Sequence, residues 1–304
     1  MTLAIIIPTR NGGNNLARLL DSINNQKCEI KRRIIIDSES TDNTVEIARK
    51  YHWEILQIKK KDFDHGATRQ KALDFAADTD IVVFMTQDAV LVDDSSIATL
   101  IECFKDDNVC ATYGRQIPHS HAKPLGAHAR LFNYTEKSRD QTFEGISQFG
   151  IKTAFISNSF SAYRCFALQE IGGFPTGVIL GEDTYVAAKL ILKGYQVFYN
   201  SDAKVYHSHD YTLLQEFQRY FDIGVFHSRE SWLREKFGNA EGEGIRFIRS
   251  ELTYLIKTGN IHLIPSSITR TIFKFIGYRL GVLENLFSNK LKLIFSMNKT
   301  YWIK

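Results

Sequence analysis

The sequence predicts an α/β fold: a mostly parallel sheet with helices on both faces, followed by a basic helical appendix. Short apolar segments such as Leu3–Ile7 and Ile81–Met85 alternate with stretches whose apolar residues recur at helical spacing. Strands lacking a polar face belong in sheets buried on both sides, and such sheets bind ligands at the carboxyl ends of their strands. The charge supplies the second part. From Ile245 to the end, ten Lys/Arg face two Asp/Glu, a net of +8, which leaves −4 for residues 1–244.

Taken in order, Leu3–Ile7 is a strand that stops at Pro8-Thr9-Arg10-Asn11-Gly12-Gly13, and Leu16, Leu19, Leu20 and Ile23 mark one face of a helix. Arg33–Ile36 is a second strand, Asp37–Asp42 a loop, and Thr44–Tyr51 a helix with Thr41 or Asp42 as N-cap. Trp53–Ile58 makes a third strand, Ala67–Ala77 a helix and Ile81–Met85 a fourth strand. Val109–Ile117 reads as strand, and His119–Gly150 as an irregular, partly mobile insertion rich in His and Arg. Phe155–Tyr163 resumes strand character, Glu182–Lys193 is a helix closed by Gly194, Gln196–His207 is a strand, and Leu213 to Val225 recur at helical spacing. The reading is one domain over residues 1–230, with a first half over 1–117 and a second over 118–230, and a basic amphipathic helical region over 231–304.

With 304 residues, 44% apolar and 24% charged, the chain has the balance of an ordinary globular protein, and a net charge of +4 excludes a nucleic-acid-coating polycation. Four singly placed cysteines, without CxxC or zinc-ligand spacing, suit a reducing compartment. The start MTLAIIIPTRNGG has no basic n-region and its apolar run is broken by Pro8, the pattern of neither signal peptide nor anchor. The matches Asn133–Thr135 and Asn298–Thr300 are therefore expected to carry no glycan.

Polar residues cluster at strand ends. Asp88 in Thr86-Gln87-Asp88-Ala89 follows a buried strand, where a carboxylate can hold a divalent cation on phosphates; an isolated Asp is also an ordinary turn residue. His207 and His209 end another strand on the same side of it, and neutral imidazole suits Mn²⁺ or Zn²⁺ better than Mg²⁺. Glu182 and Asp183 open a helix, which the macrodipole alone would favour, yet a carboxylate there facing a pocket could accept a hydroxyl proton. Arg69 falls in a first helical turn, where the dipole disfavours a cation unless an anion lies nearby.

These residues sit in stretches that together resemble family 2 inverting glycosyltransferases of the GT-A fold, and most closely the bacterial rhamnosyltransferases of O-antigen and related surface polysaccharides. The resemblance covers roughly residues 3–230 and rests on IIPTRNGG, DSESTDNT, FDHGATRQKAL, FMTQDA, NSFSAYRCFALQEIGGFP, GEDTYVAAKLILKGYQV and VYHSHDYTLLQEFQRYFDIGVFH in that order. It implies a nucleotide-sugar-binding set of Thr9, Arg10, Asp37, Arg69, Gln87 and Asp88, with Thr9 and Asp37 on the pyrimidine and ribose and Arg69 on base or diphosphate. It also implies a divalent metal, Mn²⁺ or Mg²⁺, held by Asp88 with His207 or His209, and Asp183 as general base oriented by Glu182, which could instead bind acceptor. Three positions depart from the family pattern: Thr86 replaces the first Asp of Asp-x-Asp, Arg10 replaces Tyr or Phe, and Glu39 replaces Gly.

The implied donor is dTDP-L-rhamnose, with another dTDP- or UDP-sugar as the alternative, and the implied acceptor is a polyprenyl-diphosphate-linked saccharide. A non-catalytic nucleotide-sugar-binding or assembly protein is the competing class, motivated by Thr86. The basic tail interleaves Lys and Arg with aromatic and aliphatic residues, as in Arg246-Phe247-Ile248-Arg249 and Ile272 to Leu280. It suits the anionic cytoplasmic face of the inner membrane, or equally packing on the first domain or a second subunit as a homodimer; no binding motif points to nucleic acid.

Overall fold

A computed structural model describes residues 1–239 and 242–303. The first half contains β1 (Leu3–Thr9), α1 (Gly13–Asn24), β2 (Arg32–Asp37), α2 (Thr44–Lys50), β3 (Glu54–Gln57), α3 (His65–Phe75), β4 (Ile81–Met85), β5 (Val90–Leu91), α4 (Ser96–Glu102) and β6 (Val109–Ile117). The second contains α5 (Pro124–Asn133), β7 (Arg139–Gln141), α6 (Ile146–Phe149), β8 (Phe160–Arg164), α7 (Cys165–Glu170), α8 (Glu182–Leu192), β9 (Gln196–Tyr206) and α9 (Leu213–Arg229). Four more helices follow: α10 (Ser231–Phe237), α11 (Glu243–Lys257), α12 (Ile264–Val282) and α13 (Asn289–Phe295).

One sheet runs in the order β3-β2-β1-β4-β8-β6-β9-β5, with β7 also on β9. Strands β3, β2, β1 and β4 are parallel, β8 is antiparallel to both β4 and β6, and β9 is parallel to β6. The carboxyl ends of β1, β2, β4, β6 and β9 therefore share one edge, joined there by the start of β8. Alternate residues of β1 and β4 enter different cores, Ile6 and Phe84 on one face and Ile5 and Val83 on the other, so both faces are covered as the apolar strands require.

Several boundaries differ from the sequence expectation. Helix α3 begins at His65, not Ala67, because Asp64 caps it by accepting from Gly66 N (3.1 Å) and Ala67 N (2.9 Å); Arg69 thus sits past the first turn. At α2 the cap position is Asn43, with Asp42 instead accepting from Thr44 N at 3.0 Å. The stretch 119–150 is not irregular: it forms α5, β7 and α6. Helix α5 is pinned by α11, where His128 bonds Ser250 Oγ at 2.9 Å and its ring meets Phe247 edge-on at 5.0 Å.

Helix α12 lies against α9 through glycines on both. A Cβ on Gly277 or Gly281 would approach the carbonyl oxygens of Phe217 or Phe221 to 2.4 or 2.0 Å. The expected closure of α8 is present, Gly194 having φ +96°. All four cysteines are free thiols.

Candidate active site

The shared strand edge opens into a cavity of about 1240 Å³ whose far wall comes from α5, α8, α9, α11, α12 and residues 297–303. The loop after β1 is held by the loop after β4: Gln87 Oε1 accepts from Arg10 N (2.9 Å) and Gln87 Nε2 donates to Arg10 O (3.0 Å). Thr9 lines the cavity, and its hydroxyl donates to Asp37 Oδ1 at 3.0 Å. Asp37 is buried behind it, accepting also from Ser40 N at 2.9 Å, and is not in the cavity wall. Beside it Glu39 stands at φ +54°, in the left-handed region that favours Gly, and its carboxylate accepts from Lys60 N at 2.7 Å.

Asp88 meets the two histidines because of strand register. Val90 of β5 pairs with Tyr206 of β9 in antiparallel sense; continuing that register outward sets Asp88 opposite Ser208, between His207 and His209. Asp88 oxygens lie 3.4 Å from His207 Nε2 and 3.8 Å from His209 Nε2, and the three donor groups fall within 4.8 Å of one another.

The tautomer of His207 follows from its other ring nitrogen, 2.8 Å from Gln116 Oε1. Arg130 Nη1 donates to that same oxygen at 3.0 Å, and a guanidinium cannot accept, so the atom is the amide oxygen and His207 Nδ1 must donate to it. Neutral His207 then presents the Nε2 lone pair to Asp88, two acceptors face to face, an arrangement that a cation between them resolves. Burial lowers the pKa of both imidazoles, keeping them neutral. The donor set of one carboxylate and two imidazoles fits a divalent metal ion. Thr86 therefore costs the site one carboxylate but leaves a three-donor cluster.

The acidic pair at the start of α8 divides its roles. Gly181, at φ +78°, turns the chain into the helix, and a Cβ there would strike the Phe226 ring at 2.9 Å. Glu182 is buried, ion-paired with Arg69 (3.0 Å) and accepting from Asn158 Nδ2 (3.1 Å). The anion that offsets Arg69 is thus a protein carboxylate, although Arg69 also lines the cavity. Asp183 is only partly buried, accepting from Thr184 N (2.8 Å) and Asn158 N (3.3 Å). Burial and the neighbouring Glu182 charge push its pKa up to about 7, whereas Arg69 and His65 keep Glu182 below its ordinary value against the effect of burial.

Of the candidate site residues named from the sequence, all except Asp37 line this one cavity. Asn158, Gln116 and Arg130 were not singled out. Asn158 opens the NSFSAYR stretch and is fixed by Ser161 Oγ (2.9 Å) and Tyr163 OH (2.7 Å) donating to its Oδ1.

Residues 4–172 match the description "Glycosyl transferase family 2". The chain belongs to glycosyl transferase family 2. It is 45% identical over 303 residues to the O-antigen chain rhamnosyltransferase RfbN of Salmonella typhimurium, covering 99% of this chain and 96% of that protein. It is 43% identical over 305 residues to WbaN of Salmonella anatum, likewise an O-antigen chain rhamnosyltransferase, with 99% and 96% covered. Among solved structures it resembles the Pyrobaculum calidifontis mannosyltransferase PcManGT in complex with GDP-Man and Mn²⁺, at TM-score 0.59 and 18% identity over 99% of this chain and 84% of that one. It also resembles Staphylococcus aureus TarS 1–349 in complex with UDP-GlcNAc, at TM-score 0.54 and 15% identity over 94% and 92%. The enzyme therefore has the GT-A type of fold expected from its strand-end motifs.

Proposed function

We propose that this glycosyltransferase moves L-rhamnose from dTDP-L-rhamnose, with inversion, to a saccharide carried on a polyprenyl diphosphate during O-antigen synthesis at the cytoplasmic face of the membrane. The observation that carries it is the meeting, in one cavity, of the Asp88-His207-His209 cluster and a separate carboxylate, Asp183, with a pKa raised toward neutrality. The near full-length similarity to two O-antigen chain rhamnosyltransferases supports the choice of sugar.

Asp88, His207 and His209 would hold a divalent ion, which would supply charge neutralisation to the departing diphosphate. The chain's own groups do the rest. Thr9, Arg10 and Gln87 form the wall where the nucleotide lies, and Gln87 locks the loop that carries Arg10. Asp183 Oδ takes the proton from the attacking acceptor hydroxyl, for which a pKa near the working pH is suited. Glu182, held ionised by Arg69, keeps that pKa high, and Asn158 fixes both carboxylates. A single displacement needs no covalent enzyme intermediate.

The test is release of nucleoside diphosphate from dTDP-L-rhamnose, UDP-glucose, UDP-galactose and UDP-GlcNAc, with Mn²⁺ or EDTA and synthetic polyprenyl-diphosphate saccharides. Mn²⁺-dependent turnover of dTDP-L-rhamnose alone is expected. Turnover of a UDP-sugar instead would overturn the donor assignment, and tight donor binding without turnover on any acceptor would favour a non-catalytic role.

A further inference from the structure

We infer that the outward face of α12, continued by the segment through α13, is a docking surface for an anionic lipid bilayer, lying in the plane of the membrane. Helix α12 is apolar on the side away from the protein. Ile268 (50% exposed), Ile272 (51%), Phe275 (64%), Ile276 (43%) and Leu283 (46%) recur at helical spacing and fall within an arc of roughly 100°. The opposite side holds Gly277 and Gly281 against α9, with Arg270 and Lys274 turned to the cavity. Leu286 (76%) and Ile294 (60%) extend the exposed apolar residues toward α13. An exposed, predominantly apolar stripe of this kind is the signature of an interaction surface. Among the described residues no helix is long and apolar enough to cross a membrane, so insertion through the bilayer is not the use.

Charge decides the occupant. The two carboxylates after Ile245, Glu251 and Glu284, are both buried, Glu284 in ion pairs with Arg229 and Lys292. The exposed charge of this region is therefore cationic, with Lys257, Arg279 and Lys290 at the surface and Arg279 on the stripe itself. Two copies apposed on this face would bring like charges together, whereas an anionic headgroup layer over an apolar interior matches both components. The surface stands on these observations. Its use rests on the lipid-carried acceptor proposed above: α12 lines the cavity with one side and would meet the bilayer with the other, so the lipid stays in the membrane while its sugar reaches Asp183.

The experiment is sedimentation of the full chain with vesicles of phosphatidylcholine alone or with added phosphatidylglycerol. Binding is expected to require phosphatidylglycerol and to weaken with salt. The exposed double variant Ile272→Asn/Phe275→Asn is expected to lose at least about tenfold in vesicle affinity, and Arg279→Gln to bind more weakly on anionic vesicles only, both with unchanged melting temperature and dTDP binding. Absence of vesicle binding by the wild-type chain, or unchanged affinity in the double variant, overturns the inference. Sedimentation velocity showing a dimer that the double variant disperses, without vesicle binding, would assign the face to a second copy and overturn it too. The assay needs neither donor nor acceptor, so its failure leaves the transfer reading standing, and failed turnover by vesicle-bound enzyme would sink that reading alone.

Discussion

Replacing Glu182 by Gln should move the acid limb of the pH–rate profile to lower pH. In the folded protein Asp183 titrates near 7 instead of its ordinary 3.8, which corresponds to a penalty on ionisation on the order of 4 kcal/mol. Burial is the larger cause, and the adjacent Glu182 charge the next. Glu182→Gln removes a like charge and also frees Arg69, 3.0 Å from the lost oxygen, to act on Asp183 as an uncompensated cation. Both changes favour the carboxylate, so the sign is unambiguous, and with burial unchanged the limb should fall by about one pH unit. A general base works only when deprotonated. The wild-type kcat/KM for the proposed donor should therefore decline below about pH 7 and that of the variant only at lower pH. The assay is kcat/KM from pH 5 to 9 with Mn²⁺ held saturating, alongside melting curves to verify the fold. An acid limb that stays in place or moves upward would refute the assignment of Asp183 as base and of Glu182 as the charge that tunes it.

Asp183→Asn should lower turnover by roughly 10²–10⁴-fold while leaving donor affinity within a few-fold, as read by calorimetry with dTDP. Gln116→Leu removes the acceptor that sets the His207 tautomer and should weaken Mn²⁺ binding by about 10–100-fold, measured by Mn²⁺ titration followed by electron paramagnetic resonance. Gly281→Val places a Cβ 2.0 Å from Phe221 O and should lower stability by several kcal/mol, roughly the 1–3 kcal/mol of overpacking plus loss of helix contact; thermal denaturation reads it. Asp222→Ala strips the acceptor shared by Met297 N, Asn298 N and Asn298 Nδ2 and should release residues 297–303 from the cavity wall at a cost on the order of 3 kcal/mol, seen as faster proteolysis near that segment.

The strand edge was legible from apolar strands such as β1 and β4; Asp88 was legible because it follows β4, His207 and His209 because they follow β9, and Asp183 because it opens the helix α8 after Gly181. Strand direction was not: nothing local in Phe160–Arg164 distinguishes the antiparallel β8 from its parallel neighbours. Strands β5 and β7, of two and three residues, exist only through pairing with β9 and leave no periodic trace. Helix α5 was missed because Gly126, His128 and Arg130 blur its apolar face, which is completed by Phe247 from far along the chain. The roles of Gln116 and Arg130 arise from a hydrogen-bond chain across three elements, visible only once those elements are assembled. Arg69 lies past the first turn of α3, and the anion beside it is a carboxylate more than a hundred positions away, at the start of α8, which no local pattern around Arg69 announces.

The glycine contact between α9 and α12 has a mechanical consequence. With Gly224, Gly277 and Gly281 bringing backbone against backbone, no compliant side-chain layer separates the two helices. They pack as one unit, with Ile272 and Phe275 exposed on its outer side and Tyr220, Ile223 and Phe226 on its inner edge in the cavity wall. The same contact makes the width of that cavity a property set at the helix pair, remote from the strand ends where the reacting groups are held.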